Sequence, residues 1–252
     1  MRDSTIETML RSILTDFCNG LFTSLRLDCF FNHIIAKGGL IRHIWKIIKF
    51  NIVAHLIIPF ILQYLPFFYF FYGIIKIGSI FFHGIFYFDL LTQIPINKKI
   101  KNGSVIDTIA TIFTLFIYQF SIELVLIICN NFLSPFTILL SIINYVIPVI
   151  YHSFYFFNNY WQRINMDVKK RIDIFETYWP YYFGYGTIAA LLYNHTYFLY
   201  NLYLIVAIVI PFAIPDRKVD TLYPRINLSI FTYISDWIIY LISLRFKSIS
   251  AH

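Results

Sequence analysis

Four ionisable side chains interrupt long apolar runs of this 252-residue chain, and they are the first candidates for chemistry: Lys76, Asp89, Glu123 and Asp236. A charged group inside a lipid bilayer is costly, so such residues mark functional sites by default. Lys76 and Glu123 are predicted to form an intramembrane ion pair, with an ion pathway as the alternative. Asp89 and Asp236 lie near the ends of apolar segments, where a carboxylate can reach the membrane surface.

No catalytic motif accompanies these groups. The chain has no H-E-x-x-H, no G-x-S-x-G and no P-loop, and Gly184-Tyr185-Gly186-Thr187 lacks the aspartate of GxGD intramembrane proteases. The three cysteines have no CxxC spacing and are predicted to be reduced thiols. Four histidines show no ligand spacing and are predicted to be buried polar groups with partners: His55, His83, His152 and His195. The sequence therefore predicts a non-enzymatic protein without a metal site or a cofactor.

The composition predicts that these residues are held by helices in a bilayer. Hydrophobic residues make up 59% of the chain and charged residues only 13%, about half the charged share of a soluble domain. The net charge of +7 comes from short basic clusters between apolar runs, which indicates membrane topology rather than nucleic-acid binding. We expect one all-α integral membrane domain over residues 1–252, with transmembrane helices, re-entrant helical hairpins and amphipathic terminal helices, and with the lipid bilayer as its partner.

Hydrophobic periodicity divides the chain into six predicted segments. They are an amphipathic cytoplasmic N-terminal segment (1–36), a transmembrane hairpin (40–90), a second apolar hairpin (105–157), a basic cytoplasmic loop (158–180), a third apolar hairpin (184–214) and a C-terminal apolar helix (226–244). The N-terminal helix could lie on the membrane or pack against the rest of the protein. Polar residues near Asn194 interrupt 184–214, so this region is either one tilted helix or, as we favour, a re-entrant hairpin.

Lysine and arginine predict the orientation. Every second connection is basic, whereas the turns near residues 64–66, 130–135 and 194–201 carry neither residue type. Because cytoplasmic loops keep an excess of Lys and Arg, both termini and the large loops are predicted to be cytoplasmic.

An aromatic string with two glycines follows the basic loop: Trp179, Pro180, Tyr181, Tyr182, Phe183, Gly184 and, after Tyr185, Gly186. Trp and Tyr prefer the headgroup level of a membrane, and Pro suits the first turn of a helix. The glycines allow a close helix approach or a break. Taken alone, the string predicts an interfacial anchor.

This string resembles the W-P-Y-Y-F-G-F-G region of the etoposide-induced endoplasmic-reticulum membrane protein family, to which the bacterial CysZ sulfate permeases are related. The resemblance is strongest over residues 151–213, and residues 17–21 (FCNGL) and 84–89 (GIFYFD) support it more weakly. It implies a multi-pass endoplasmic-reticulum membrane protein that acts in autophagy and membrane organisation as a regulator or scaffold.

Two further functions stay open on the sequence alone. The permease relatives imply anion transport, in which helix termini at the tips of re-entrant hairpins would coordinate a sulfate-type anion. Lys76 is the one plausible deep cation for that role, whereas Glu123 would repel a dianion. The chain could instead be a structural subunit that associates with itself or with other membrane proteins.

Overall fold

The computed structural model describes residues 2–35, 38–62, 64, 85–87, 89–91, 93–94, 125–126, 128–133, 135–164, 166–214 and 221–227. Every regular element in these ranges is helical and none is a strand, so the all-α prediction is confirmed for this part of the chain. Lys76, Glu123 and Asp236 lie outside the described residues, as does nearly all of the predicted 226–244 helix, and their predictions stay untested.

Eight α-helices are labelled here within the described ranges. They are α1 (Arg2–Ser24), α2 (Leu27–Ile35), α3 (Gly38–Ile52), α4 (Ile58–Leu62), α5 (Thr137–Arg163), α6 (Val168–Thr177), α7 (Trp179–His195) and α8 (Tyr197–Val209). A π-helical turn, Val53–Ile57, joins α3 to α4, and a 3₁₀ turn, Ile210–Phe212, follows α8.

The amphipathic helix predicted near the N-terminus is α1, and it packs along α7. Of the two positions considered for the N-terminal helix, on the membrane or packed against the rest of the protein, this contact corresponds to the second. A second stripe on the helix stays outside the contact, because the side chains of Ile6, Leu10 and Leu14 are 53%, 56% and 63% exposed. These three residues recur at four-residue steps and form an apolar outer face.

Helices α3 and α4 form one continuous helical rod whose π turn has a local cause. Pro59 has no backbone N–H and cannot donate to the carbonyl four residues earlier, at His55. The chain accommodates this with a wider turn, in which the Ile58 N–H donates to the Val53 carbonyl. The rod therefore passes the proline without ending there.

In the part of the chain that the structure describes, two helical stretches, Gly39–Ile61 and Thr137–Arg163, are long and apolar enough to cross a membrane. Only 28% of the most apolar part of the first and 22% of the second are buried inside the protein. The core helix of a soluble protein is typically mostly buried, and these two stretches are not.

The segment predicted as a basic loop, 158–180, is mostly helical. Helix α5 continues to Arg163, six residues beyond the predicted end of the second apolar hairpin, because Trp161 still packs in the core at 2% exposure. Helix α6 then begins after Asp167, whose carboxylate accepts a hydrogen bond from the Lys169 N–H at 3.2 Å. An aspartate at this position is an N-cap from which the new helix could have been predicted.

The third apolar region consists of two helices, α7 and α8, which meet at Thr196. This residue is extended (φ −148°, ψ 92°) and breaks the helix two residues after the predicted position, Asn194. The Tyr193 and Tyr200 rings pack across the break with centroids 5.2 Å apart. The two-helix arrangement is that of the hairpin alternative, and its re-entry into a bilayer stays a prediction.

Candidate functional site

The aromatic string is the N-terminal half of α7, which lies between α1 and α5. Pro180 is in the first turn, as predicted, where its missing N–H has no helical partner to lose. The Trp179 indole Nε1–H donates to the Pro224 carbonyl at 3.2 Å, so the first residue of the string is tied to the protein itself.

Gly184 and Gly20 bring α7 and α1 into backbone contact. A methyl group added at Gly184 would lie 2.0 Å from the carbonyl oxygen of Phe17. One added at Gly20 would lie 1.9 Å from the carbonyl oxygen of Tyr181. Each helix therefore presents a glycine to a carbonyl of the other, and only glycine fits at either position.

Gly186 makes the corresponding contact with α5. A methyl group there would lie 2.2 Å from the Val149 carbonyl oxygen and 2.9 Å from the Cβ of Ser153. Two residues advance an α-helix by about 200°, so Gly184 and Gly186 face opposite sides. Of the two alternatives predicted from the glycines, a close helix approach or a break, the structure shows the close approach, with a different partner helix for each.

The aromatic residues of the string fill the space between these contacts. Tyr182 and Tyr185 each pack against Phe157 with ring centroids 4.8 Å apart. Tyr182 also stacks on Phe175 of α6 at 4.8 Å. Both tyrosines are buried, at 4% and 0% exposure, so they are core residues rather than the headgroup-level anchors that the sequence suggested.

Tyr185 also donates a hydrogen bond to a carbonyl of α8 that has no helical donor. In a regular helix the Ala207 carbonyl would accept from the N–H of residue 211, but residue 211 is proline and has none. The Tyr185 hydroxyl donates to that carbonyl at 2.7 Å, and both residues are fully buried. The string thus supplies a hydrogen bond that the neighbouring helix cannot make itself.

Tyr185→Phe is therefore expected to lower the free energy of unfolding by about 1 to 3 kcal/mol, since it leaves a buried carbonyl unsatisfied. The measurement is a denaturation titration in detergent. Pro211→Ala restores the missing N–H, so the same tyrosine change should cost much less in that background. An equal cost in both backgrounds would rule out the proposed rescue of the Ala207 carbonyl.

A polar rim closes the end of α7 where the string begins. Arg225 forms ion pairs with Asp173 and Glu176, and its Nε–H donates to the Glu176 carboxylate at 2.9 Å. The Glu176 side chain is only 6% exposed. The hydrogen bond to Glu176 raises the pKa of the Arg225 guanidinium above the ordinary value.

The Tyr223 hydroxyl donates to Asp16 of α1 at 2.6 Å, so residues 221–227 join α1, α6 and α7.

Other basic residues of the rim are also used internally. Arg163 donates to the Ile94 carbonyl at 3.1 Å. Arg171 donates to the Met166 carbonyl at 2.7 Å and to Asn158 at 2.9 Å, and burial lowers the pKa of its guanidinium. Among the described residues, these cations are structural partners rather than free surface charges.

The histidines divide into buried and exposed cases. His152 is 2% exposed, and its Nδ1 lies 3.2 Å from the Tyr200 hydroxyl. Its Nε2 and the neighbouring Ser153 hydroxyl have no hydrogen-bond partner among the residues that the structure describes. His195 is exposed at the end of α7, so its predicted burial is wrong. His83 lies outside the described residues.

Asp89 lies beside two basic residues of α3. Its carboxylate lies 2.7 Å from His43 Nδ1 and 3.9 Å from Lys46 Nζ, and the side chain is 42% exposed. The described part of the chain contains no group of three or more His, Cys, Asp or Glu side chains that could hold a metal ion. Cys18, Cys29 and Cys129 are free.

Comparison with known proteins finds two informative relatives. The chain is 33% identical to "Uncharacterized protein L211" of Acanthamoeba polyphaga mimivirus, over 92% of this chain and 96% of that protein. It is 28% identical to "Ectopic P granules protein 4" of Caenorhabditis elegans over 106 residues, which are 39% of this chain and 34% of the nematode protein. No family model matches the chain. No solved structure matches it.

Proposed function

We propose that this chain, which belongs to the family of the mimivirus protein L211, is an endoplasmic-reticulum membrane protein that organises membranes in autophagy as a non-enzymatic scaffold. The proposal includes membership of the etoposide-induced endoplasmic-reticulum membrane protein family and cytoplasmic placement of both termini. It names the membrane itself as the partner, with self-association or association with other membrane proteins as further partners.

One observation carries the scaffold role: the family-like string is used for internal helix packing. Gly184 and Gly186 admit the backbones of α1 and α5. Trp179 and Tyr185 donate their hydrogen bonds to carbonyls of the same chain. A string that served to bind a substrate would present such donors to a cleft, whereas these fix the relative positions of helices.

The exposed surfaces support a role at a membrane. In the most apolar parts of the stretches 39–61 and 137–163, 28% and 22% of the residues are buried inside the protein, and apolar side chains such as Phe60 and Ile138 are exposed. The outer stripe of α1 adds apolar surface on a helix that also carries charge, which is typical of helices at a membrane interface.

The autophagy role rests on the sequence resemblance, and its test is genetic. In cells that lack their own member of the etoposide-induced family, the wild-type chain should locate to the endoplasmic reticulum and restore clearance of autophagosomes. Gly184→Leu is the variant to compare with the wild-type chain. It changes a buried position and leaves every exposed residue as it is. Normal endoplasmic-reticulum location without restored clearance would reject the autophagy role.

Topology is tested in the same cells with epitopes at both ends and after residue 165. All three are expected to be degraded by protease added to cells whose plasma membrane alone is permeabilised. An epitope at 165 that stays protected while the ends are degraded would overturn the predicted orientation.

Transport remains the competing proposal and has a separate readout. Purified protein in liposomes is expected to give no sulfate flux above empty liposomes. Robust uptake that Lys76→Ala abolishes would replace the scaffold by a permease.

A further inference from the structure

The outer face of α3 carries three cations and a tryptophan at helical spacing. Arg42, Lys46 and Lys49 lie at positions i, i+4 and i+7, with Trp45 between them, so all four share one side of the helix. All four are exposed, and the Trp45 side chain is 54% exposed. We call these four residues the cationic face. Over about 10 Å of helix it offers three positive charges and one amphipathic ring.

The same side of the rod becomes entirely apolar beyond Lys49. The exposed residues there are Val53, Leu56, Ile57, Phe60 and Ile61, with exposures between 45% and 61%. They extend for about 12 Å along the axis, close to the depth of one leaflet of a hydrocarbon core about 30 Å thick. The change from cations to apolar side chains therefore matches the step from headgroup to acyl chain.

The cations of this face are available to a ligand. No side-chain partner is found for Arg42 or Lys49 in the ranges that the structure describes, and Lys46 has only the 3.9 Å contact with Asp89. By contrast, Arg163, Arg171 and Arg225 are bonded within the protein.

We propose that the cationic face binds the headgroup of an anionic phospholipid, whose acyl chains lie along the apolar side chains from Val53 to Ile61. The proposal deepens the function proposed above, since it rests on insertion of the 39–61 helix in a bilayer. The phosphate group contacts the guanidinium and the two ammonium groups, and Trp45 lies at the level of the glycerol ester region. Asp89, which faces Lys46 and His43, limits the attraction and favours a lipid of modest negative charge such as phosphatidylserine.

Native mass spectrometry of the full chain in detergent tests this with equimolar phosphatidylserine and phosphatidylcholine. The wild-type protein should retain phosphatidylserine in preference. Replacing Arg42, Lys46 and Lys49 together by Gln should reduce that preference at least about tenfold, since each cation near an anionic surface contributes several-fold in affinity. Arg42→Lys, which keeps the charge, should retain most of it.

Lys169→Gln with Lys170→Gln is the matched control. These two lysines are exposed on α6, and none of the side chains that the structure describes on that helix is an exposed large hydrophobic one, so phosphatidylserine retention should be unchanged. Three results would each overturn the site. They are an equal loss of phosphatidylserine retention in the control variant, equal retention of the two lipids by the wild-type protein, and displacement of the lipid by millimolar inorganic phosphate. A wild-type chain that inserts in the endoplasmic reticulum but shows no lipid preference would defeat this site alone, whereas a chain that is not membrane-inserted would defeat the proposed function too.

Discussion

Gly184→Ala is expected to lower the free energy of unfolding by about 2 kcal/mol or more. The added carbon would lie 2.0 Å from the Phe17 carbonyl oxygen, and that atom belongs to a helix backbone that cannot rotate away. Helices α1 and α7 must therefore separate, which strains or empties the packing beside them. Alanine has the better helix propensity by about 1 kcal/mol, and the clash outweighs that gain.

Unfolding in detergent measures this effect, with Gly39→Ala as the matched control. Nothing lies within 4 Å of a methyl group at Gly39, so that change should be neutral or stabilising. Gly20→Ala should resemble Gly184→Ala, and the double variant should cost less than the sum, because helices already moved apart accommodate the second methyl group. Full additivity would show that the two glycines do not share one crossing.

Much of the helical layout was predictable because it depends on local patterns. Helical periodicity gave α1, and the apolar run after the basic cluster gave the 38–62 rod. Pro180 predicted the helix start, and the two glycines of the string predicted the close approach as one of two alternatives. The polar interruption near Asn194 favoured two helices over one. Each of these conclusions needs only residues that lie within a few turns of one another.

The partners in the site were not predictable, because they are distant in the sequence. Gly20 and Gly184 are each an ordinary helix glycine until the fold brings them together. The string FCNGL was singled out only by resemblance, and its glycine is the counterpart of Gly184. The bond from Tyr185 to Ala207 could have been suspected from Pro211, which leaves a carbonyl without a donor, but not assigned to a tyrosine. Helix α6 was likewise not predicted, because its residues are mostly polar, although Asp167 is a recognisable N-cap.

Arg225→Ala is expected to lower the melting temperature by about 5 °C or more, since it leaves the Glu176 carboxylate buried without its cation. The same change leaves residues 221–227 held to α6 by a backbone hydrogen bond alone, in which the Ile226 N–H donates to the Glu176 carbonyl at 3.3 Å. Asp173→Ala is the matched control: its carboxylate also pairs with Arg225 but is 55% exposed, so its loss should shift the melting temperature much less. Equal shifts would show that Glu176 is solvated in solution.

The difference in melting temperature between wild type and Arg225→Ala depends on pH through the protonation of the Arg225 guanidinium. The hydrogen bond to Glu176 raises the pKa of Arg225, a guanidinium that is already protonated at every pH below strong alkali. The stabilisation is therefore present at neutral and moderately alkaline pH and is lost only in stronger alkali. The difference in melting temperature between wild type and Arg225→Ala should therefore be the same at pH 7 and pH 10. Replacing Arg225 with Lys keeps a cation but loses the two-pronged contact, so it should recover only part of the stability. A difference that vanishes by pH 10 would mean that another, weaker base holds the Glu176 carboxylate.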